Sequence, residues 1–395
     1  MHPAVSRQLL AVSRQLIYIS AMPELSREDV CQRTAAALRA ADPAEVNAVV
    51  GFDGFVDNLM QAVDRRMSAE AFEPIHTIDA FGQRISASAG HSSNVELVLK
   101  QQKLGGNGPI FANALATLGL GVTYVGNLGH PTVHPIFDAF TKAATVHSIA
   151  EPGITDAVEF DDGKLMLGKL EHLAGVTWNN VVDRVNLPTF VAACEKASLI
   201  GMANWTMLPH LSDVWRHMLD EVMPNLTKKR RHVFVDLADP AKRTDEDLKH
   251  ALDLLGEFQQ HGGVVLGLNA GEAKRVATLL GCGEFQNNRP MAKAIRDTLN
   301  IDAIVIHSRH GAAGVTAKET QTMQGPFVKR PKVTTGAGDH FNSGFCLGLS
   351  LELPLVDSLC CGVAAGGYYV SRGASPTLAQ LADFIERLPA PEEGA

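Results

Sequence analysis

The chain has 395 residues, 46% of them hydrophobic and 20% charged, with a formal net charge of −8. This is the composition of a globular protein with a sizeable core, and the negative balance excludes the clustered Lys/Arg surface that a nucleic-acid partner requires. No run of 18 apolar residues is present to cross a membrane, and the six cysteines show no CxxC spacing, which fits buried thiols in a reducing cytoplasm.

Residues 4–17 carry Ala-Val-Ser-Arg-Gln-Leu twice, seven residues apart, which sets Val5, Leu9, Val12 and Leu16 on one helical stripe. Two heptads are too short for a free coiled coil, so a docking helix or frayed extension is expected. The N-terminus lacks the long apolar stretch of a secretory signal, while the absence of acidic residues before Glu24 leaves a transit peptide open. A helix is expected over residues 26–40, with Ser26 as N-cap and Pro43 beyond its end. Residues 1–46 are read as an N-terminal helical extension and 47–390 as the main domain.

Residues 47–52 read as a first buried strand, ending in Asp53-Gly54-Phe55-Val56-Asp57. Carboxylates at the end of such a strand stand where ligands bind in α/β sheets. The Gly105-Gly106 pair permits close backbone approach to a polyhydroxy ligand, and a helix follows over 110–118 with Gly119 as its stop. His130 and His134 are four apart, but Pro131 and Pro135 rule against a helical zinc pair. Residues 155–167 alternate around Asp161-Asp162-Gly163-Lys164 as a hairpin with an Asp-Gly turn. Short buried strands at 197–201 and 232–236, with a helix at 211–223 between them, give the β-α-β alternation of a parallel sheet. The basic run at 228–231 reads as a solvated turn.

Residues 263–269 form another buried strand, and Asn269-Ala-Gly-Glu272 opens the next helix. Asn-x-x-Glu puts an amide and a carboxylate on one face of a first turn. There they can orient magnesium-bound waters near phosphates or simply cap the helix. A strand at 303–306 leads into His307-Ser308-Arg309-His310-Gly311-Ala312-Ala313-Gly314. A Gly-Ala-Gly turn at 336–338 then opens a helix carrying Asp339. Small residues there bring backbone N–H groups close to an anion at a helix N-terminus. If that anion is a transferring phosphoryl group, Asp339 can take the proton of the attacking hydroxyl; otherwise it is an N-terminal Asp favoured by the helix dipole. Walker A, Gly-x-Gly-x-x-Gly and Gly-x-Ser-x-Gly motifs are all absent from the sequence.

The stretch Gly336-Ala337-Gly338-Asp339-His340-Phe341-Asn342-Ser343-Gly344-Phe345 resembles the C-terminal signature of the ribokinase-like (PfkB) carbohydrate kinases, and further motifs stand in that family's order from about residue 48 to 376. The resemblance implies an α/β three-layer sandwich with a central, mostly parallel sheet and a small β lid at about 58–100 and 150–172. It implies phosphoryl transfer from ATP, with Mg2+, to a hydroxyl of a small sugar or sugar-like alcohol. By the same resemblance Asp339 is the base and Gly336, Ala337 and Gly338 supply an anion hole. Asn269 and Glu272 organise magnesium. Asp57, with Asp53 as the second choice, holds the acceptor together with Gly105, Gly106 and Asn107. Ser308, Gly311 and Gly314 belong to the nucleotide-side loop, and residues 363–370 and 372–375 surround the adenine. A homodimer through the lid is expected. Two departures stand out: Ile110 replaces the Asn many members carry in the helix after the glycine pair, and His307-Ser308-Arg309 replaces the usual Thr-Leu, mildly resembling the ADP-dependent sugar kinases. Asn107 or Asn113 could supply the missing amide. A nucleoside kinase, an ADP-dependent sugar kinase and a non-catalytic metabolite binder are the alternatives.

Overall fold

The apolar runs become strands, and their alternation decides which layer each residue feeds. The computed structural model describes residues 25–227 and 231–392; the repeat at 4–17 and residues 228–230 of the basic run lie outside them. The strands are β1 (Asn47–Phe52), β2 (Phe55–Arg66), β3 (Phe72–Pro74), β4 (Leu97–Gly105), β5 (Gly121–Gly126), β6 (Thr145–Ser148) and β7 (Gly153–Phe160). They continue as β8 (Gly163–Lys169), β9 (Leu199–Ala203), β10 (His232–Asp236), β11 (Gly263–Asn269), β12 (Ala303–Ser308), β13 (Gly311–Thr316) and β14 (Thr320–Gln324).

Nine strands form the central sheet in the order β14-β13-β12-β11-β10-β9-β1-β5-β6. All neighbours from β12 to β6 pair in parallel, and the β13–β14 hairpin closes one edge antiparallel. Period-two alternation sends Val233 and Val235 of β10, Leu266 of β11 and Ile304 of β12 into one core, and Phe234, Val265 and Val305 into the other. Helices such as Asp245–Phe258 and Ala270–Leu279 cover the first face; Asn107–Thr117, Ala337–Ser350 and Leu355–Arg372 cover the second. This is the expected three-layer α/β sandwich.

The lid is a separate five-stranded sheet, β3-β2-β7-β8 with β4 also paired to β2. Ala62, Ile75, Phe81 and Val158 form its own small core. In the β7–β8 hairpin Phe160 pairs with Gly163, so the turn residues are Asp161 and Asp162 rather than the expected Asp-Gly. Asp162 Oδ1 accepts the N–H of Ile78, and Asp161 N–H donates to His76 O; these bonds tie the turn to the segment before it and fix the register.

The helix Arg27–Ala40 starts at a Ser26 capping box closed by Asp29. Val30, Cys31, Ala35 and Leu38 pack in the same core as Phe345 and Leu359. Asp357, almost fully buried, accepts from Arg33 Nη2 at 2.5 Å and Thr34 Oγ1 at 2.9 Å. The helix thus packs into one layer of the sandwich, its apolar stripe in the core and the Asp357 carboxylate satisfied by Arg33 and Thr34. Among the described residues no helix is long and apolar enough to cross a membrane.

Candidate active site

In a parallel sheet the C-terminal strand ends share one edge, and polar residues placed there converge. Two cavities open on that edge. The lid-side cavity, about 580 Å³, is lined by Asp57, Asn107, Ile110, Asn204, Lys242 and Asp339 among others. The outer cavity, about 670 Å³, is lined by Asn269, His307, Ser308, Phe327, Gly338 and Gly366 among others. The N-terminus of the helix Ala337–Ser350 forms the partition: Gly336 and Asp339 face the lid side, Ala337 and Gly338 the outer side. Ala337 N–H already donates to Thr334 O at 3.2 Å. Of the three expected anion-hole groups, Ala337 N–H is thus already engaged, while Gly338 N–H, in the first turn, has no intrahelical acceptor.

Asp339 is 5% exposed and its Oδ1 accepts Asn107 Nδ2 at 2.9 Å. Burial, then the charge of Asp236, pushes its carboxyl well above the usual range, against the Asn107 bond. Of the two candidate amides, Asn107 lines the lid-side cavity and Asn113 lines neither cavity.

Asp53 and Asp57 part company. Asp53 is fully buried and accepts Gly108 N–H at 2.7 Å, Asn107 N–H at 3.0 Å and Asn204 Nδ2 at 2.7 Å. Burial lifts its carboxyl to about 6 despite those bonds. It lines neither cavity and instead pins the start of the helix Asn107–Thr117. Asp57, on β2 of the lid, does line the lid-side cavity, on the same sheet face as Thr155, Met166 and Gly168. Gly105 and Gly106 serve these carboxylates. A Cβ on Gly105 would lie 2.5 Å from Asp57 Oδ1, and one on Gly106, at φ +94°, would lie 2.9 Å from Asp53 Oδ2. The close approach that the glycine pair permits is thus to acidic side chains of the chain itself.

Asn269 and Glu272 close a full capping box: Asn269 Oδ1 accepts the N–H groups of Gly271 and Glu272, and Glu272 Oε2 accepts Asn269 N–H at 2.8 Å. Glu272 Oε1 also accepts Asp239 N–H at 2.9 Å, which holds the strained left-handed Ala238–Asp239 turn at the cavity rim. Burial raises the Glu272 carboxyl. Ser308 lines the outer cavity, whereas Gly311 and Gly314 do not. Both lie in β13, where Gly314 packs against Leu355 and Leu359, and the run after β12 is a tight hairpin.

Sequence reasoning passed over Asn204 and Asp236, which follow β9 and end β10, and gave His307, one residue before the end of β12, no role. The strand-end rule applied to Asp53 marks these positions equally. Asp236 is buried and accepts Asn342 Nδ2 at 2.6 Å and Ala238 N–H at 2.9 Å. Burial and then Glu272 push its carboxyl upward. His307 packs on Phe341, ring centroids 4.7 Å apart, and burial lowers its imidazole to about 4, so it stays neutral.

A raised carboxyl opposes folding once it ionises, since the unfolded chain releases its proton near pH 4 and the folded chain later. Asp236 therefore lowers stability as pH climbs from about 4 through its raised value. Asp236→Asn is expected to raise the melting temperature at pH 8 and not at pH 4, because Asn342 Oδ1, buried and unpartnered, can accept the new amide once the Asn342 side chain turns over. An equal shift at both pH values, or a loss at pH 8, contradicts this.

The family model for prokaryotic ketohexokinase matches residues 28–388. A ketohexokinase of Haloferax volcanii is 31% identical over 362 residues, covering 90% of this chain and 96% of that protein. Among solved structures, a fructokinase of Xylella fastidiosa superposes with a TM-score of 0.61 at 16% identity, covering 87% of this chain and 99% of its own. A ribokinase of Thermotoga maritima gives 0.57 at 16% identity, covering 86% and 99%. With a fold, a partitioned two-cavity edge and a family match that span the same residues, the chain belongs to the prokaryotic ketohexokinase family and is a ribokinase-fold carbohydrate kinase.

Proposed function

We propose that this carbohydrate kinase transfers the γ-phosphoryl group of ATP to a hydroxyl of a ketohexose, with Asp339 as general base. The observation that carries the reading is Asp339 itself, a buried, proton-hungry carboxylate on the partition between two cavities. The acceptor occupies the lid-side cavity under Asp57 and Asn107, and the nucleotide lies in the outer cavity beside Ser308. The ketohexose class is supported by the name of the Haloferax volcanii relative, and ATP by the fructokinase of Xylella fastidiosa, solved with ATP bound.

In the reaction the acceptor hydroxyl gives its proton to Asp339 and its oxygen bonds to the γ-phosphorus. The bond to the β–γ bridging oxygen breaks and ADP leaves. Gly338 N–H and the positive end of the helix meet the charge on the transferred group. Positioning and charge complementarity make up most of such catalysis.

Among the described residues no group of three or more His, Cys, Asp or Glu side chains is placed to hold a metal ion alone. The residues nonetheless fit magnesium, which keeps most of its waters and binds through one or two carboxylates plus substrate phosphates. Burial and then the charge of Glu272 hold Asp236 upward in pKa, burial raises Glu272, and Asn342 Oδ1 beside Asp236 lacks a partner. Glu272, Asp236 and Asn269 would hold the ion through its waters, and when bound it offsets the charge of the phosphate oxygens.

ADP release with ATP and a panel of ketohexoses, aldoses and nucleosides tests the reading. Turnover with nucleosides alone, or none with any acceptor, overturns it. Glu272→Gln is expected to raise the magnesium concentration for half-maximal rate by about 10-fold or more, the order of the loss for residues that orient metal ligands. A variant that melts earlier at an unchanged magnesium requirement leaves Glu272 as a cap only. The six free cysteines and the use of ATP favour a cytoplasmic location. A homodimer through the lid would cover the exposed Leu99 and Leu167, which sedimentation of the purified chain reads directly.

A further inference from the structure

His340 directly follows the base, and the chemistry above leaves it without a role. Only 2% exposed, it places Nδ1 at 2.7 Å from Gly336 O and Nε2 at 2.8 Å from Ser375 Oγ. Its ring stacks on Tyr369 with centroids 3.6 Å apart and planes 11° from parallel. A carbonyl oxygen has no proton to give, so Nδ1 carries the hydrogen and donates it to Gly336. Nε2 of the neutral ring then accepts the Ser375 hydroxyl proton. Burial holds the imidazole down, to about 4, so this tautomer persists across the physiological range.

The bond matters because of where Gly336 stands. It is the N-cap of the helix Ala337–Ser350, at φ +89°, with no side chain of its own to cap it. The Gly336–Ala337 peptide adjoins a glycine that tolerates either sign of φ, so its orientation rests on the hydrogen bonds made at its two ends. Turned over, it would aim a carbonyl oxygen, partly negative, at the ground where the transferring group's oxygens collect. Gly336 O instead accepts from both His340 N–H, at 3.1 Å, and His340 Nδ1. Ser375 lies just beyond the helix Leu355–Arg372, whose residues Val363, Gly366, Gly367 and Val370 line the outer cavity.

We propose that His340 is a positioning residue: through Gly336 O on one nitrogen and Ser375 on the other, it locks the Gly336–Ala337 peptide to the wall of the outer cavity and keeps Gly338 N–H directed at the transferred group. The inference rests on the proposed function for what occupies the partition.

His340→Phe retains a ring to stack on Tyr369 and removes both hydrogen bonds. It is expected to lower kcat by about 10²-fold, the order for a misplaced reacting geometry, with the sugar KM changed by less than about threefold. His340→Asn, whose amide N–H can reach Gly336 O, should recover about tenfold of that loss. Ser375→Ala should fall between the wild type and His340→Phe in kcat. A folded His340→Phe with wild-type kcat overturns the proposal, as does a loss that His340→Asn does not lessen. If His340→Phe does not fold, Ser375→Ala decides, and an unchanged kcat there overturns it. A wild-type chain without sugar turnover would fail the proposed function instead, and a loss confined to these variants speaks to His340 alone.

Discussion

Asp339→Asn is expected to lower turnover by on the order of 10² to 10⁴, the size of a general-base contribution, while ATP still binds. Asparagine has nearly the same shape, and its carbonyl can accept the Asn107 amide that Asp339 now holds at 2.9 Å. Basicity is lost and little else. The outer cavity proposed for the nucleotide is lined by Gly338 and Ser308 and not by Asp339, so ATP binding is expected to survive the exchange. Calorimetric ATP affinity beside single-turnover rates separates the two effects; a variant turning over at near wild-type rate removes Asp339 from the base role.

The same carboxyl predicts a pH profile. Burial and the Asp236 charge raise it, so it holds its proton at a pH where an ordinary aspartate has lost it. Turnover therefore falls as pH drops through this raised value, and the acid limb of kcat/KM lies above the ordinary aspartate range of about 4. A limb at or below that range contradicts the assignment. The residual activity of Asp339→Asn should lack the limb altogether.

The second large effect separates Asp57 from Asp53. Asp57→Ala is expected to weaken acceptor binding by on the order of 10² or more, since hydrogen bonds to a charged group contribute about 1.5–3 kcal/mol each. Nucleotide affinity should stay within about twofold, because an interaction confined to the acceptor leaves the donor's binding alone. Burial, partly offset by Thr155, Lys164 and Lys103, raises the Asp57 carboxyl only in part. Asp53→Ala acts by a different route. It strands the N–H groups of Asn107 and Gly108 and the Asn204 amide, each buried orphan costing about 1–3 kcal/mol. Lost melting temperature is its first sign, ahead of any selective loss of acceptor affinity. Affinities for sugar and ATP and thermal melts on both variants decide. If Asp53→Ala stays folded and loses the sugar while Asp57→Ala keeps it, the two roles are exchanged.

Much of the architecture is legible residue by residue. Val-Val-Gly-Phe at 49–52 and Val-Val-Leu-Gly-Leu at 264–268 are strands by composition and length, and the structure makes them strands. Ser26 before an amphipathic run is a cap by its own hydroxyl, and Asn269-x-x-Glu272 closes the box its spacing allows. The signature at 336–345 announces a helix N-terminus because Gly-Ala-Gly can do little else before an apolar run. Each of these depends on atoms within a few residues of one another.

What the chain alone left open depends on partners far away in sequence. The helix Arg27–Ala40 is visibly amphipathic, but nothing local says that Asp357 waits for its Arg33. Gly105 and Gly106 announce a close approach without saying to what, and the answer is two carboxylates more than forty residues upstream. Asp53 and Asp57 read alike as strand-end aspartates. They differ because β1 ends in the central sheet while β2 departs into the lid, so one carboxylate is walled in and the other faces a cavity. By itself the sequence determined periodicity, caps and the signature, since these are set by sterics and hydrogen bonds along a short stretch of backbone. Only the tertiary structure decided that Asp236, Glu272 and Asn107 gather around Asp339. Their meeting follows from the order in which nine strands pair, and that order is settled by burial and pairing over the whole chain.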